Sequence, residues 1–381
     1  MSQIIFFSGS RADYGLIKPI VTQFKKNKDK FEFVSSSHHN QKKFGNTKKQ
    51  IIDDRIKIDF ISKTKLKNTK IESIFSFFQK SSIEYFKYLK LKKPNAVFVL
   101  GDRYEAYAFS LAAYFLGIPI IHMHGGEITQ AAFDEGIRHS ISKFSNLHFV
   151  IHNIYKKRLV SMGENPNTVF NYGSTACEQI KKMSFLSKTE FLNNFNLNKK
   201  KTILITFHPE TKSSIAIKKQ IKILLNSLKN IKNVNLVFTY ANTDTEGIYF
   251  NSQIEKFKRK RTDVLIIKSM GQEIYWNFLK HSDIVVGNSS SGIIEAPSLK
   301  TITLNIGERQ KGRIFAKSVF QCDLDEKKII QKLNKLFKFN QKNFRNIFYR
   351  KNTSENIYKK IKNFLNKKTI NKRFYDFKKY N

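Results

Sequence analysis

The sequence predicts an α/β fold of two doubly wound domains, each a mainly parallel sheet wrapped by helices. Three observations predict it. Short segments that are apolar almost throughout recur along the chain, and each ends in a glycine- or aspartate-bearing turn before a helix-like stretch; strands covered by helices on both faces read this way. The series runs down near Gly173-Ser174 and starts again at Thr202, and alternating β and α units at such spacing argue for parallel sheets. The 381 residues suit two domains at roughly 100–200 residues each.

Taken in order, the first series places strands at Ile4 to Ser8, Ala96 to Leu100, Pro119 to Met123 and Leu147 to Ile151. The second places them at Thr202 to Thr206, Asn235 to Thr239, Val264 to Ile267, Asp283 to Val286 and Thr301 to Asn305, with helices such as Ile215 to Leu228 and Glu273 to Lys280 between. The expected division is therefore 1–173 for an N-terminal domain, 174–365 for a C-terminal domain and 366–381 for a basic, aromatic-bearing tail on the surface. No short-period repeat is present.

Composition narrows the function classes. Two cysteines, Cys177 and Cys322, form neither a disulfide framework nor a metal-ligand spacing. The apolar run after Met1 is too short for a signal segment and lacks a basic start, and no apolar stretch approaches the about 18 residues of a membrane span. A cytoplasmic protein with no membrane partner is the expectation. The formal charge of +39, from 69 Lys and Arg against 30 Asp and Glu, raises nucleic acid as a partner. The lysines are nevertheless scattered, as at Lys42-Lys43, Lys199 to Lys201 and Lys372, and Phe, Ile and Asn are heavily used beside them. These residues share A/T-rich codons, so compositional drift accounts for much of the excess, and with no nucleic-acid motif present no nucleic acid is expected. The remainder would steer an anionic small substrate.

Open parallel sheets bind ligands beyond the carboxyl ends of their strands, so the chemistry is sought there. The first strand ends in Gly9-Ser10-Arg11-Ala12-Asp13-Tyr14-Gly15, neither a Walker loop nor a dinucleotide fingerprint. It is a small-residue turn offering an arginine and helix amides to a phosphate, and Arg11 and Asp13 are candidate binding residues. Gly101-Asp102-Arg103-Tyr104-Glu105 puts a carboxylate at a strand tip with Arg103 beside it as a candidate for binding the substrate. His122-Met123-His124-Gly125-Gly126-Glu127 follows a third strand; its two glycines would let backbone approach a ligand. His122 and His124 are expected on one face of that strand, but no third ligand has a convincing spacing, so no metal is expected. Asp134-Glu135-Gly136-Ile137-Arg138-His139 comes next, with Arg138 one turn beyond Asp134, as in a surface pair. Carboxylates gathered as Asp102, Glu127, Asp134 and Glu135 push one another's proton affinities apart, which suits general acid and base work.

The second series offers His208 in Thr206-Phe207-His208-Pro209-Glu210 for a phosphate or leaving group, and Asn242 and Asp244 for a ribose or base. Gly287-Asn288-Ser289-Ser290-Ser291-Gly292-Ile293-Ile294-Glu295 runs from a strand into a helix through small polar residues. It would present amides and hydroxyls to a diphosphate, with Glu295 accepting ribose hydroxyls. Gly307-Glu308-Arg309-Gln310-Lys311-Gly312-Arg313 adds cationic forks.

These pieces together resemble a known family. GSRADYG at 9–15, GDRYEA at 101–106, IHMHGGE at 121–127, DEGIRHSISK at 134–143, FHPET at 207–211, NTD at 242–244, GNSSSGIIE at 287–295 and NIGERQKGR at 305–313 resemble, in family order over about the first 320 residues, the hydrolysing UDP-N-acetylglucosamine 2-epimerases of bacterial sialic and legionaminic acid synthesis. The resemblance implies two Rossmann-like domains facing a cleft, as in glycosyltransferase-B enzymes, with a nucleotide-sugar substrate and no metal or redox cofactor. It implies loss of UDP from C1 with removal of the C2 proton, giving a 2-acetamidoglycal, then addition of water and return of a proton to the other face of C2. The products are N-acetylmannosamine and UDP. Asp102 and Asp134 match catalytic positions, and Glu127 lies in the matching HGGE segment. Some relatives carry glutamate where this chain has His124, so the third catalytic role falls to either His124 or Glu127. Where the family usually shows a glycine before an apolar residue and a histidine, this chain has Ser37-His38-His39, with His39 in the matching place. Arg11, His208, Ser289, Ser290, Glu295 and Arg309 match positions that hold UDP. Relatives are often dimers or tetramers, so a homo-oligomer is expected. The same scaffold would serve a UDP- or GDP-linked 2,4-diacetamido-6-deoxy sugar, or a glycosyltransferase, which would in addition need an acceptor groove.

Overall fold

The computed structural model describes residues 4–41, 48–130, 132–241, 246–268, 270–339, 343–367 and 372–376, the side chains of Arg11 and Ala12 excepted. The chain forms two units. One comprises Met1–Glu127, Asp134–Gln179 and Phe348–Asn381; the other comprises Ile128–Phe133 and Ile180–Ile347.

The first unit is built on seven strands: β1 (Ile4–Ser8), β2 (Phe31–Ser35), β3 (Phe60–Ile61), β4 (Ala96–Leu100), β5 (Ile120–Met123), β6 (Leu147–Val150) and β7 (Val169–Asn171). Their order is β3-β2-β1-β4-β5-β6-β7, and every pairing is parallel. All residues of β1 and β4 are buried, because side chains on both sheet faces meet helices. Ile4, Phe6, Phe98 and Ile121 pack on one side, and Ile5, Phe7, Val97 and Val99 on the other. The sequence missed β2, β3 and β7, for these strands are short, edge-lying or partly polar: β3 has two residues, and Glu32 in β2 is kept for Tyr88 and for Lys92 at 2.7 Å.

The second unit has six parallel strands: β8 (Lys201–Thr206), β9 (Val234–Thr239), β10 (Val264–Ile267), β11 (Ile284–Gly287), β12 (Ile302–Ile306) and β13 (Val319–Cys322). Their order is β10-β9-β8-β11-β12-β13. Only β13, at the sheet edge with an exposed Gln321, escaped the sequence reading. In both sheets the winding direction reverses at one place, between β1 and β4 and between β8 and β11. Such switch points open a crevice at the strands' carboxyl ends.

The division differs from the expected one: Ile128–Phe133 joins the second unit, the junction falls after Gln179 rather than Gly173, and Phe348–Asn381 returns to the first unit. The helix Thr353–Leu365, expected with the second domain, belongs to the first. Its Ile357, Ile361 and Phe364 enter the core beneath β1 and β4, Tyr358 packs edge-on against Phe24 at 5.0 Å, and Tyr358 and Lys362 both reach Asp29. Of the segment after it, residues 372–376 make contacts within the first unit. Lys372 reaches Glu164 at 2.6 Å and the Ser145 carbonyl at 2.7 Å, and the Tyr375 amide donates to the Gly163 carbonyl at 3.0 Å. Among the described residues no helix is long and apolar enough to cross a membrane.

Candidate functional site

In the first unit the catalytic candidates gather at the carboxyl ends of β4 and β5, which are neighbours. Gly101 leaves β4 at φ +80°, and Asp102 follows before the helix Tyr104–Phe115, whose N-cap is Arg103. β5 stops at Met123, one residue earlier than alternation through His124 requires. His124 sits at φ +67°, so His122 and His124 do not share a face. His122 is sealed inside, its Nε2 2.8 Å from the Gly101 carbonyl and its Nδ1 3.1 Å from Ser142 Oγ. Burial above all holds its proton affinity down, to about 3. His124 Nδ1 instead meets Glu127 Oε1 at 2.5 Å, with both groups nearly inaccessible.

Gly125 and Gly126 were expected to open backbone to a ligand, but protein atoms take that space. A Cβ on Gly126 would stand 2.5 Å from the Tyr155 carbonyl oxygen, and one on Gly125 would stand 2.9 Å from Ser142 Oγ. The glycines are needed for packing of this turn against the helices Asn153–Ser161 and Asp134–Phe144.

The residue that ties the candidates together is Arg138, the largest fully buried side chain among the described residues. From sequence its one suggested role was a surface pair with Asp134, the alternative to a catalytic Asp134. Its Nη2 donates to Asp102, and its Nη1 donates to the His124 carbonyl at 2.8 Å. Burial opposes its charge, but Asp102, then Glu127, Glu135 and Asp134, more than offset that and raise its proton affinity. One cation thus organises the four predicted carboxylates. Asp134, buried, opens its helix, and Glu135 pairs with His139 at 3.0 Å.

A second buried cluster lies at the ends of β1, β2 and β4. Asp13, a candidate for ligand binding, is the third residue of its helix. Its carboxylate turns back to the Ser10 and Gly9 amides at 2.8 and 3.1 Å, and Ser10 is the N-cap. Burial, with Glu105 adding and Arg103 opposing, lifts its pKa to about 7. Arg103, expected to contact ligand, is committed to Glu105 through Nε at 3.1 Å and Nη2 at 3.1 Å. Glu105 also meets His38 Nδ1 at 2.9 Å. Burial works against the Glu105 charge, yet Arg103 and His38 prevail and hold its pKa to about 2. His39 lies 2.9 Å from Ser8 Oγ, and burial keeps it neutral, near 3. Glu105 and His38 were not singled out from sequence. Their carboxylate–imidazole contact spans 67 positions of chain, and only the β1–β2–β4 neighbourhood creates it.

In the second unit the predicted residues collect at the β8–β11 switch. Gly287, at φ +137°, abuts Thr206 so closely that any Cβ would overlap its carbonyl. This close approach lets Asn288 clamp the His208 backbone, accepting from its amide at 2.7 Å and donating to its carbonyl at 2.9 Å. The Asn288 carbonyl in turn accepts from Gln310 at 2.8 Å and Arg309 at 3.3 Å. Glu210 Oε1 receives the Glu308 and Arg309 amides, each at 2.9 Å. Burial first, against those amides, raises the Glu210 pKa. Ser289 caps the short helix Ser290–Ile294, and Glu295, just beyond it, accepts from Trp276 Nε1 at 2.7 Å. Arg313 is spent on the Ile128 carbonyl at 2.7 Å. Asn288 and Glu210 stood inside the quoted motifs without an assigned role. Asn242 and Asp244 lie outside the described residues, as does the Arg11 side chain. Among the described residues, no group of three or more His, Cys, Asp or Glu side chains is arranged to hold a metal ion.

A family model described as UDP-N-acetylglucosamine 2-epimerase matches residues 22–362. The chain belongs to the UDP-N-acetylglucosamine 2-epimerase family. It is 36% identical over 333 residues to the GDP/UDP-N,N'-diacetylbacillosamine 2-epimerase (hydrolyzing) of Campylobacter jejuni, covering 85% of each chain. It is 33% identical to the polysialic acid biosynthesis protein P7 of Escherichia coli, covering 99% of this chain and 97% of that one. The fold matches that of the Methanocaldococcus jannaschii UDP-GlcNAc 2-epimerase, crystallised with UDP-GlcNAc and UDP, with a TM-score of 0.81 at 17% identity over 95% of this chain and 100% of the other. The family resemblance read from the motifs is thereby correct, and so is the pair of Rossmann-like domains. Within this epimerase family, the Arg138-centred carboxylates and the Asn288 clamp are the two constructions that need a functional account.

Proposed function

We infer that this chain is a hydrolysing 2-epimerase. It releases UDP from UDP-N-acetylglucosamine and delivers free N-acetylmannosamine for sialic acid synthesis in the cytoplasm. The observation that carries the reading is the gathering of Asp102, Glu127 and Asp134 on the buried Arg138, beside a turn that presents His124. The C2 proton flanks an ordinary acetal carbon and is not acidic. Departure of the diphosphate must therefore develop positive charge at C1, which carboxylates stabilise, while one group accepts the C2 proton and another returns one from the opposite face. Asp102 and Asp134 are assigned to this proton and charge work. His208, Ser289, Ser290, Glu295 and Arg309 are assigned to the nucleotide, on a frame set by Asn288 and Glu210.

A second reading has its own support. The Campylobacter relative, at 36% identity, carries the name of a diacetylbacillosamine 2-epimerase. The same machinery would then act on a UDP- or GDP-2,4-diacetamido-6-deoxy sugar, toward legionaminic acid. Incubating the protein with each nucleotide sugar and no acceptor tests both. Free UDP or GDP together with the free 2-epimer from one donor identifies the substrate, and no release from any donor contradicts the reading. The assembly is expected to be a homodimer or homotetramer, which sedimentation checks.

A further inference from the structure

His122 and His124 sit two residues apart and meet opposite fates. Both ring nitrogens of His122 are engaged. His124 is also buried, though slightly less completely, yet its Nε2 has no hydrogen-bond partner among the described residues, while its Nδ1 is 2.5 Å from Glu127 Oε1. Orphaned buried polar atoms are few in native proteins and call for a reason. The backbone adds another sign of purpose. A non-glycine residue at φ +67° is uncommon and persists where surroundings over-determine it. Here the His124 amide donates to the Phe149 carbonyl at 2.9 Å and its carbonyl accepts from Arg138 at 2.8 Å, so the ring's origin is pinned from both sides.

We propose that His124 and Glu127 form a proton-handling dyad in which Glu127 holds the Nδ1–H and Nε2 takes the proton from C2 of the sugar. The proposal rests on the hydrolysing 2-epimerase reading. A carboxylate at Nδ1 fixes the tautomer, leaves the Nε2 lone pair as acceptor and stabilises the imidazolium that forms. As the C2–H bond breaks, its electron pair becomes the second bond between C1 and C2. The C1–O bond breaks, its pair leaves on the diphosphate oxygen, and the proton rests on Nε2. A carboxylic acid then protonates the opposite face of C2 as the oxygen of water bonds to C1. The surplus proton of that water restores the carboxylic acid, and the imidazolium gives its own to solvent. One water is consumed and one proton is released. Glu127 is the positioning residue, and it acts only through His124. Charged and titratable groups on the elements packed about this turn are Arg138 and, interacting with it, Asp134 and Glu135 on the helix Asp134–Phe144 and Asp102 after β4; His122 on β5, which interacts with His124; and Arg158, which donates to the Gly126 carbonyl.

The test compares the full-length parent with H124Q, H124E and E127Q for UDP release and for deuterium uptake at C2 in heavy water, over roughly pH 5 to 9. H124Q should lower kcat by about 10²–10⁴-fold with KM little changed. H124E restores a base and should recover at least about tenfold of that, its acid limb moved toward the carboxylate range. E127Q should lower kcat and shift the acid limb of kcat/KM to lower pH, since the imidazole loses its anionic neighbour; a merely structural Glu127 would leave the limb in place. H124Q within about threefold of parent, or an unmoved limb in E127Q, overturns the dyad. Nitrogen-15 spectra of the histidines give a substrate-free arm. His124 should show the Nδ1–H tautomer in the parent and lose it in E127Q. If the parent turns over no nucleotide sugar, that tautomer still reports the dyad while the reaction reading falls; its absence from the parent sinks the dyad itself.

Discussion

Replacing Arg138 by methionine should strand the carboxylates that the guanidinium holds. Arg138 is fully buried, donates to Asp102 and to the His124 carbonyl, and is the common positive neighbour of Asp102, Glu127, Glu135 and Asp134. Methionine retains much of the stem but none of the donors. Removing one partner of a buried ion pair costs about 3–5 kcal/mol, and losing the bond to a buried carbonyl contributes about 1 kcal/mol within that. Asp102 is partly accessible, with 21% of its side chain exposed, so water recovers some of its share and the expected loss is about 4 kcal/mol. For a unit of this size that lowers the unfolding transition by roughly 8–16 °C. Calorimetry at about pH 8 and about pH 5.5 provides the assay. The deficit should narrow at the lower pH, where stranded carboxylates begin to take up protons. Adding Asp102→Asn to the methionine variant should cost less than it does in the parent, because the charge it removes is no longer compensated. Arg138→Lys should fall between, since an ammonium cannot span both acceptors as the fork does. An unfolding temperature within about 2 °C of the parent, or a full additive cost for Asp102→Asn, would refute the hub.

Other consequences follow from the same geometry. Asp13, with its folded pKa raised from 3.8 to about 7, binds its proton more tightly folded than unfolded. Stability from this group is therefore full below about pH 4 and declines as pH rises through that window; Asp13→Asn, which keeps an acceptor for the Gly9 and Ser10 amides, should flatten the pH dependence of chemical denaturation between those limits. Gly126→Ala should destabilise by at least about 1–3 kcal/mol, from backbone strain plus collision with the Tyr155 carbonyl. Gly101→Ala, equally left-handed but with open space around its Cβ, should cost about 1–2 kcal/mol; equal losses in the two would mean the crowding at Gly126 is relieved. Asp102→Asn and Asp134→Asn should each lower turnover by about 10²–10⁴-fold while UDP affinity measured by calorimetry persists; near-parent turnover in both would reassign the carboxylates.

The sheets were legible because strands buried on both faces are apolar throughout, as Ile4 to Phe7 and Ala96 to Leu100 are. The strands that escaped lie toward sheet edges or mix polar residues among apolar ones, as Glu32 does in β2 and Gln321 in β13. An amphipathic helix such as Thr353–Leu365 fits either sheet, and nothing local to it says that Phe24 and Asp29 are its neighbours. The strand-end rule singled out Asp102, Glu127 and His208, and Asp134 was read from the motif that follows; the structure sets Asp102, Glu127 and Asp134 about Arg138. The rule did not reveal Arg138 or Asn288, whose roles depend on partners brought by the fold: a carbonyl exposed by one left-handed residue, and a β8 terminus 80 positions away. Gly125 and Gly126 were legible as glycines with a conformational duty, but that duty faces Tyr155 and Ser142.

The central claim is tested most directly by incubating the protein in heavy water with UDP-N-acetylglucosamine, and in parallel with UDP- and GDP-linked N,N'-diacetylbacillosamine, without an acceptor, and reading the product by NMR. The account predicts a free nucleoside diphosphate and a released 2-epimer carrying one deuterium at C2 from at least one donor. No release from any of the three, or an epimer with protium retained at C2, would contradict it.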